Sequence, residues 1–442
     1  MTRRTKPAGY LISAVAGLGV ALICTFVLGR SYSALGLKKE PFSRLSYVSS
    51  FDPVEDATLG LPPNSTNTVA AKPSAAIRAI EINPAQTVML AGGRAVRIID
   101  KPAPRTLRAL VRIVADRHWI SASAGTVTLN AAVIVEHGSS MTIAAPVTSG
   151  LVMTVRPGVF LGAFRGRLKI TGVRVRASDT KMPGTFTAPA RDMGRPFLLA
   201  TQNSSMIIRD STFEYLGRDW NSSYGLTWSK GSTGSVSNST FDHDFIGVYS
   251  NGSTGLQVMH DKFYHNSLYG IDPHSGSSHL AIEYNTSDFN GRHGIIFSDH
   301  VTDSVVQYNV TSGNGLNGIM MDKASADNTI AHNIVTGNDS DGVVIANSND
   351  NVVSYNTVRG NRVGIAVRGS AAGTKVFGNT LAANKLAAEG ADLARNTAHG
   401  NGGTWSENRI VVIWSAALAL LVALLGITWV MQRRPAPIMA DK

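Results

Sequence analysis

Residues 317–340 read NGIMMDKASADNTIAHNIVTGNDS, and residues 341–362 read DGVVIANSNDNVVSYNTVRGNR. The two segments share one pattern, in which a glycine opens a short apolar stretch and two further apolar stretches follow, with Asn, Ser or Asp between them. Apolar stretches of a few residues bounded by turn-forming residues are typical of short β-strands. Each segment therefore predicts three short strands joined by tight turns.

The pattern recurs along the chain with a nearly constant period. The glycines that open the units are spaced 22, 23, 24, 24, 24 and 22 residues apart, at Gly225, Gly247, Gly270, Gly294, Gly318, Gly342 and Gly364. A second marker is spaced 23, 24, 24, 24, 23 and 23 residues apart, at Asn238, Asp261, Asn285, Asn309, Asn333, Asn356 and Asn379. Two markers with one period indicate a solenoid.

A period near 23 residues predicts one coil of a right-handed parallel β-helix. It is too short for a propeller blade, and it lacks both the helical periodicity of helical solenoids and the leucine-rich consensus of horseshoe repeats. We predict that the β-helix spans residues 119–395, with the recurring asparagines in hydrogen-bonded ladders at the turns. Residues 75–118 are predicted to form a small N-terminal cap region with a short helix between Arg105 and Trp119, and residues 386–395 are predicted to be helical.

Two apolar runs near the ends predict membrane-spanning helices, at residues 9–29 and 410–431. Each has about 20 residues without a charge, which is long enough to cross a bilayer. The flanking basic residues predict cytoplasmic ends at 1–8 and 432–442, and hence an extracytoplasmic body in the periplasm or at the cell exterior. A cleaved signal peptide is the alternative for the first run. The segments between the membrane and the body are predicted to be linkers, at 30–74 and 396–409.

The composition of the body excludes several classes of function. The only cysteine is Cys24, inside the first apolar run, so the body has no disulfide, no catalytic thiol and no cysteine metal site. Residues 30–408 hold 34 basic and 29 acidic residues, and this mild net charge of +5 suits a polyanionic substrate. Nucleic acid is not expected as a partner, because there is no basic stripe with interleaved aromatic residues. We recognise no close His/carboxylate ligand spacing, so no metal and no cofactor are predicted.

In a regular solenoid, residues at one offset from the repeating glycine form a row on the surface. Four positions after each glycine lie Ser229, Asn251, His274, Ser298, Asp322, Ala346 and Arg368. The next position holds, in five of the coils, Lys230, Ser275, Asp299, Lys323 and Asn347. This polar strip of mixed charge suits a sugar chain that runs along the coils, although an ordinary solvated sheet face is the alternative.

The central coil, Tyr269-Gly-Ile-Asp-Pro-His274, departs from the apolar/polar alternation of its neighbours. Eight of the eleven histidines fall between His243 and His332, around this coil. An imidazole beside Asp272 and Tyr269 in a polar groove is a candidate for proton transfer, because its pKa lies close to neutral pH. An inert surface histidine is the alternative.

These residues also carry a family resemblance. About half of the chain, from Arg195 to Gly369, resembles the periplasmic alginate (mannuronan) C5-epimerases, which are right-handed parallel β-helices. The Tyr269–His274 coil is the most specific part of it. The other similar pieces are Arg195-Pro-Phe197, Tyr224-Gly-Leu-Thr-Trp228, Arg292-His-Gly-Ile-Ile296, Asn317-Gly-Ile-Met-Met-Asp-Lys323, Gly162-Ala-Phe164 and Gly166-Arg-Leu168.

The resemblance implies that the chain epimerises uronic acid residues at C5 in an acidic polysaccharide. It implies that His274 is the base that removes the C5 proton, that Asp272 orients or charges its imidazole, and that Tyr269 lines the site. Such a reaction also needs a group that neutralises the substrate carboxylate and stabilises the enolate. Candidate substrate-binding residues on the neighbouring coils are Arg292, His293, Lys323, Asp322, Lys230, Asn251, His300 and Asn347. Proteins of polysaccharide synthesis or export are possible partners.

Two departures from the family pattern leave alternatives open. The family motif continues after its histidine with Asp-Arg-Ser, whereas this chain has Ser275-Gly276-Ser277. The family arginine that is thought to neutralise the substrate carboxylate is replaced here by Asp299. One alternative is a polysaccharide lyase that uses the same proton abstraction, and the other is a non-catalytic β-helix that binds a polysaccharide during assembly or export.

Overall fold

The structure is a computed structural model that describes residues 77–92, 94–178, 194–220, 222–390 and 397–399. The predicted membrane spans, the cytoplasmic ends and the linker at 30–74 lie outside these residues. No helix of the described part of the chain is long and apolar enough to cross a membrane.

The N-terminal region contains three strands, one helix and a hairpin, namely β1 (Arg78–Ile82), β2 (Thr87–Ala91), β3 (Arg94–Ile99), α1 (Leu107–Val114), β4 (Ile120–Ser123) and β5 (Thr126–Leu129). The short helix predicted between Arg105 and Trp119 is confirmed. It begins after Thr106, whose hydroxyl accepts a hydrogen bond from the Ala109 N–H at 3.2 Å. This N-cap satisfies one of the free amides of the first turn.

The first coils are formed by β6 (Ala132–Val135), β7 (Ser140–Ala144), β8 (Gly150–Thr154), β9 (Phe160–Phe164), β10 (Arg167–Thr171), β11 (Arg174–Ser178), β12 (Phe197–Thr201), β13 (Ser205–Arg209), β14 (Thr212–Glu214), β15 (Gly225–Ser229), β16 (Thr233–Ser237) and β17 (Thr240–Asp242). The central coils follow as β18 (Ile246–Asn251), β19 (Gln257–Met259), β20 (Lys262–Tyr264), β21 (Tyr269–His274), β22 (Ala281–Glu283), β23 (Thr286–Asp288), β24 (Ile295–Ser298), β25 (Val305–Gln307), β26 (Val310–Ser312) and β27 (Ile319–Asp322). The last coils contain β28 (Thr329–Ala331), β29 (Ile334–Thr336), β30 (Val343–Ala346), β31 (Val352–Ser354), β32 (Thr357–Arg359), β33 (Val363–Arg368), β34 (Lys375–Phe377), β35 (Thr380–Ala382), β36 (Leu386–Glu389) and β37 (Thr397–His399).

From β6 to β36, every third strand pairs with its counterpart in the next coil, and all of these pairs are parallel. The strands form three sheets of 14, 10 and 13 strands within the described residues, which we call sheet 1 (from β3, β2, β1 and β6 to β36), sheet 2 (β7 to β34) and sheet 3 (β4, β5 and β8 to β37). The protein is a β-solenoid of about ten coils. The prediction of a parallel β-helix with three strands per coil is confirmed.

The core is a column of apolar side chains that point inward from all three sheets. Phe213, Phe241 and Phe263 stack in successive coils of sheet 3, with ring centroids 5.1 and 4.7 Å apart. Trp228 is fully buried in sheet 1. Burial of such side chains contributes about 1.5 to 3 kcal/mol each, and this holds the three sheets together.

The recurring asparagines form buried ladders at two turns of each coil. In the ladder that we call the Asn309 ladder, the Asn285 N–H donates to Asn309 Oδ1 at 2.9 Å, and Asn309 Nδ2 donates to Ile282 O at 2.8 Å and to Asn333 Oδ1 at 3.0 Å. The same contacts recur down the row Asp261, Asn285, Asn309, Asn333, Asn356 and Asn379. The prediction that the recurring asparagines are structural is confirmed from Asn285 onward, whereas Asn238 is exposed and its neighbour Ser239 donates to Asp261 Oδ1 instead.

One prediction near the C-terminal end of the β-helix is wrong. Leu386–Glu389, predicted to begin a helix, forms β36, whose residues pair with Val363, Ile365 and Ala366 of β33. Pairing with an existing sheet edge outweighs the helix propensity of the Leu-Ala-Ala-Glu sequence. Thr397–His399, in the predicted linker, forms β37 against β35.

Candidate active site

The row predicted from the repeat exists as a continuous line of backbone partners in sheet 1. His274 pairs with Asn251 on one side and Ser298 on the other, and the pairing continues through Ser229, Asp322, Ala346 and Arg368. We call this line the His274 row. It lies at the end of each sheet 1 strand, where the chain turns toward sheet 2.

The following residue of each coil has a left-handed backbone conformation. Lys230, Ser275, Asp299, Lys323 and Asn347 have φ values between 44° and 69°. This turn directs the chain away from sheet 1, and it places a second polar side chain beside each member of the His274 row. The conformation is uncommon for residues other than glycine, so five occurrences at one offset show that the coil geometry imposes it.

His274 is held by a chain of hydrogen bonds that ends at a carboxylate. The Ser275 hydroxyl donates to Asp299 Oδ2 at 3.1 Å, so Ser275 Oγ accepts from His274 Nδ1–H at 2.5 Å. We call this chain the Asp299–Ser275–His274 relay. Because Nδ1 carries the proton, the lone pair of the neutral imidazole lies on Nε2.

The relay differs from the arrangement that the resemblance implied for this coil. The ring nitrogen Nδ1 is held by Ser275, and not by Asp272 as the resemblance implied. Asp299, which replaces the family arginine, accepts hydrogen bonds from Ser275 and, at 2.8 Å, from His300 Nδ1. Partial burial raises the pKa of Asp299, but the bonds from His300 and Ser275 outweigh it and lower the pKa overall. The carboxylate therefore stays ionised beside the imidazole.

Burial lowers the pKa of His274 to about 4, with the Asp299 charge raising it and the Lys323 charge lowering it further. An imidazole with this pKa is neutral at pH 7, which is the state that a general base requires.

Asp272 lies one position before Pro273 on the outer side of β21, where it is the backbone partner of Tyr249. It is buried, and among the described residues its Oδ1 has no hydrogen-bond partner. Burial raises the pKa of Asp272 well above its ordinary value, against the opposing effect of Lys323. A neutral carboxylic acid is the consistent state of this group, because an unpaired buried carboxylate is costly.

Tyrosines form the wall beside His274, and the sequence reasoning missed them. The Tyr249 ring centroid lies 5.9 Å from that of His274 and 4.6 Å from that of Tyr224. Burial raises the pKa of both phenols, so both keep their protons. Tyr249 lies two positions after Gly247, the same offset that Asp272 has from Gly270, and a comparison of that offset could have found it.

Two of the predicted site residues are buried structural groups. The rings of Tyr269 and His293 stack with centroids 5.3 Å apart, and both side chains are inaccessible. The Asn317 N–H donates to His293 Nδ1 at 3.3 Å, and burial lowers the pKa of His293 to about 3. His293 is therefore a buried group that packs against Tyr269, and its contact with substrate stays a prediction.

Arg292 lies at the opposite end of the sheet 1 strands from His274. Ser298, the backbone partner of His274, follows Arg292 by six residues, a span of up to about 20 Å in extended chain. The charge of Arg292 acts on the buried His293 and lowers its pKa further. Lys323 is the cation whose charge affects both Asp272 and His274.

The remaining predicted residues lie along the same strip. The Asn251 side chain hydrogen-bonds to Tyr249, and Asp322 is half-buried with its pKa raised by burial. Burial lowers the pKa of Lys230, on the N-terminal side of His274. Asn347 Oδ1 accepts from the Ser370 N–H at 3.3 Å, which gives that side chain a role in its turn. His300 is largely exposed, and it contacts the site through Asp299.

The expectation that the chain lacks a close His/carboxylate cluster is also wrong. Asp242, His243 and His265 bring three ligand atoms within 4.8 Å of one another at the turn between sheets 3 and 1. The sequence hides this cluster because His265 belongs to the next coil. It is separate from His274, which lies at the other end of the sheet 1 strands.

Comparisons with known proteins agree with this architecture. Residues 199–409 match the family model described as periplasmic copper-binding protein (NosD). The mannuronan C5-epimerase of Pseudomonas aeruginosa is 31% identical over 143 residues, which are 29% of this chain and 25% of the relative. The enzyme of Pseudomonas fluorescens is 30% identical over 143 residues, 29% of this chain and 26% of the relative. The matched segment thus spans about a quarter of these curated relatives.

Among solved structures, the periplasmic alginate epimerase AlgG is similar with a TM-score of 0.61 and 26% identity, over 68% of this chain and 71% of that one. A double mutant of the same enzyme has a TM-score of 0.63 at 23% identity, over 68% of this chain and 80% of that one, which supports the fold alone. Together with the repeat and the Tyr269–His274 coil, these matches show that the chain is a parallel β-helix protein distantly homologous to the mannuronan C5-epimerases.

Proposed function

We propose that this protein is a C5-epimerase of uronic acid residues in an acidic polysaccharide, with mannuronate as the first substrate to test. The observation that carries the proposal is the Asp299–Ser275–His274 relay, which presents a neutral imidazole on the outer face of sheet 1. The distant homology to mannuronan C5-epimerases supports the same reaction.

In the proposed reaction, Nε2 of His274 takes the proton from C5 of the sugar. The electron pair of the C–H bond is delocalised into the adjacent carboxylate, and the resulting imidazolium is stabilised by Asp299 through Ser275. A proton then adds to the opposite face of C5, which inverts the centre. No atom is lost, and His274 returns its proton to solvent.

The new C5 proton comes from water. The rings of Tyr249 and His274 are 5.9 Å apart, which leaves no room for a sugar ring between them. Both groups therefore lie on one side of the bound sugar, and its other side is open to solvent. An enzyme of this kind incorporates solvent hydrogen at C5 of the inverted residue.

The charge on the substrate carboxylate is offset without the family arginine. Lys323 supplies a cation close enough to affect both Asp272 and His274. The protonated Tyr249 and Asp272 add a phenol and a carboxylic acid that repel a uronate less than an ionised carboxylate does. Such groups stabilise negative charge that develops in an enclosed site.

We further propose a periplasmic body that receives the polysaccharide during its assembly or export, anchored by the segments at 9–29 and 410–431. The similarity to periplasmic proteins supports the compartment. The mild positive excess of residues 30–408 supports attraction of a polyanion.

The test is proton NMR of polymannuronate incubated in D₂O with the full chain. Wild type is expected to produce guluronate with deuterium at C5, and His274→Ala to lose this activity by a factor of about 10² to 10⁴, the usual contribution of a general base. His279→Ala is the matched control, because His279 is an exposed turn histidine outside the relay.

The other outcomes separate the competing functions. Unsaturated ends that absorb in the ultraviolet would identify a lyase. An unchanged polymer that still binds folded wild type and His274→Ala equally would overturn the epimerase proposal in favour of a binding role. Unchanged activity in folded His274→Ala would remove the base assignment.

A further inference from the structure

The cluster of Asp242, His243 and His265 lies outside the proposed reaction. Asp242 is the last residue of β17, His243 follows it, and His265 follows β20 in the next coil. The Nδ1–H groups of both histidines donate to the same oxygen, Asp242 Oδ1, at 2.8 and 3.2 Å. Two nitrogens and one carboxylate oxygen thus converge on one point of the surface.

The separation of these atoms is that of ligands around a metal ion. Ligands at about 2.0 to 2.2 Å from a zinc-sized ion lie roughly 2.8 to 3.5 Å apart when the angle at the metal is between 90° and 109°. The two N···O distances fall in this range, and all three atoms lie within 4.8 Å of one another. A cation that replaces the shared protons needs only small shifts of the side chains.

The two imidazoles are also held in place by their neighbours. Their centroids are 5.1 Å apart, and the pair lies between the ring of Tyr215, 5.1 Å from His243, and the ring of Phe289, 5.9 Å from His265. Both histidines have left-handed φ values, 58° and 52°, which the coil geometry imposes. Ligands that are already ordered lose less entropy when a metal binds.

Charges on the adjoining strands have mixed effects on a cation. Glu214 and Asp288 lie on the same row of sheet 3 as Asp242, and Glu214 is paired with Arg174 at 2.8 Å. Arg195 donates to the carbonyl oxygens of Tyr215, Leu216 and His243. The carboxylates favour a cation, and the arginines limit the attraction.

We propose that Asp242, His243 and His265 form a surface site for a divalent first-row transition ion. Imidazole and carboxylate donors suit zinc, copper or nickel, whereas calcium and magnesium require oxygen ligands. The three protein ligands leave positions for water, because the side chains of His243 and His265 are about half exposed.

The test is isothermal titration of the untagged, chelator-treated full chain with zinc chloride and with copper(II) sulfate. One equivalent is expected to bind, with copper bound more tightly in accordance with the Irving–Williams order. His243→Ala and His265→Ala are each expected to weaken binding by at least about tenfold, since even changes around metal ligands have effects of that size. His260→Ala and His279→Ala are controls that keep the affinity of wild type.

Spectroscopy gives a second readout that does not depend on activity. The electron paramagnetic resonance spectrum of the copper-loaded chain is expected to show coupling to two nitrogens in wild type and to one in His265→Ala. A stoichiometric site that survives in the folded His243→Ala/His265→Ala double variant would overturn the proposal. The absence of any saturable binding to wild type would also overturn it.

Discussion

The Asn309 ladder and the His274 row both arise from the stacking of successive coils. The ladder repeats one residue type, whereas the residue type varies along the row. The ladder places asparagine in five successive coils, and each residue is buried and hydrogen-bonded to the next. The His274 row changes at nearly every coil, from asparagine to histidine, serine, aspartate, alanine and arginine. Repetition accompanies a structural role, and variation accompanies the candidate site.

The difference has a physical reason. A buried asparagine side chain is fully hydrogen-bonded only if the equivalent position of the next coil also carries an amide. A ladder therefore requires the same residue in successive coils. The members of the His274 row have different partners, such as Thr201 for Ser229 and Glu389 for Arg368, so they are free to differ. A change in the ladder should therefore affect stability alone, and a change in the Asp299–Ser275–His274 relay should affect activity.

The largest effect expected from this comparison is the loss of a central ladder residue. In Asn309→Ala, the Asn285 N–H and the Ile282 carbonyl lose their partners inside the protein, which costs about 2 to 3 kcal/mol of unfolding free energy. Urea denaturation measures the change. The matched control is Asn349→Ala, an exposed turn asparagine that should lose less than about 1 kcal/mol.

The activity per folded molecule of Asn309→Ala should equal that of wild type. A fall in this activity together with full stability would contradict the assignment of the two rows.

A smaller effect is expected from the relay, where only chemistry should change. The rate is expected to rise with pH through about 4, because the His274 imidazole has its pKa there and must be neutral to act. Asp299→Asn removes a charge that raises this pKa, so the acidic limb should move to lower pH. The rate should fall roughly tenfold, a part of the contribution of a general base, because the imidazolium loses its counter-charge.

The pH dependence of deuterium incorporation at C5 measures both changes in the Asp299 variant. Asp303→Asn, an exposed residue in the turn after Asp299, should leave both unchanged. An acidic limb that stays in place in Asp299→Asn would show that Asp299 does not act on His274.

The repeat alone predicts part of this arrangement. The repeat period predicts three strands per coil and the members of the His274 row, because residues at one offset stack in a solenoid. The period does not predict which side chains form hydrogen bonds between neighbouring coils. The bonds of Ser275 to His274 and Asp299, and the bonds of Asp242 to His243 and His265, depend on rotamers at left-handed turn positions.

A position within the coil is also hard to read from the sequence. Arg292 and His293 lie on the coil after His274, but they precede β24, whereas His274 ends β21. Leu386–Glu389 resembled a helix because local propensity does not include the open sheet edge that accepts it.

The smallest effect should come from Asp261, which occupies the end of the Asn309 ladder. Its Oδ1 accepts from the Ser239 N–H at 2.7 Å, while its Oδ2 has no partner among the described residues. Burial raises its pKa to about 8, so the folded state binds a proton that the unfolded state releases near pH 4. The contribution of Asp261 to the stability of wild type is therefore fully present below about pH 4 and is lost as the pH rises through about 8. Asp261→Asn removes this dependence and supplies the amide donor that every later member of the ladder has, so it should be more stable by at least about 1 kcal/mol at pH 7.

Thermal unfolding of both proteins at a series of pH values measures the difference, which should grow up to pH 8 and then level off. A difference that is constant with pH would mean that the Asp261 carboxyl is ionised in the folded protein, and that an ionised group is tolerated where the ladder begins.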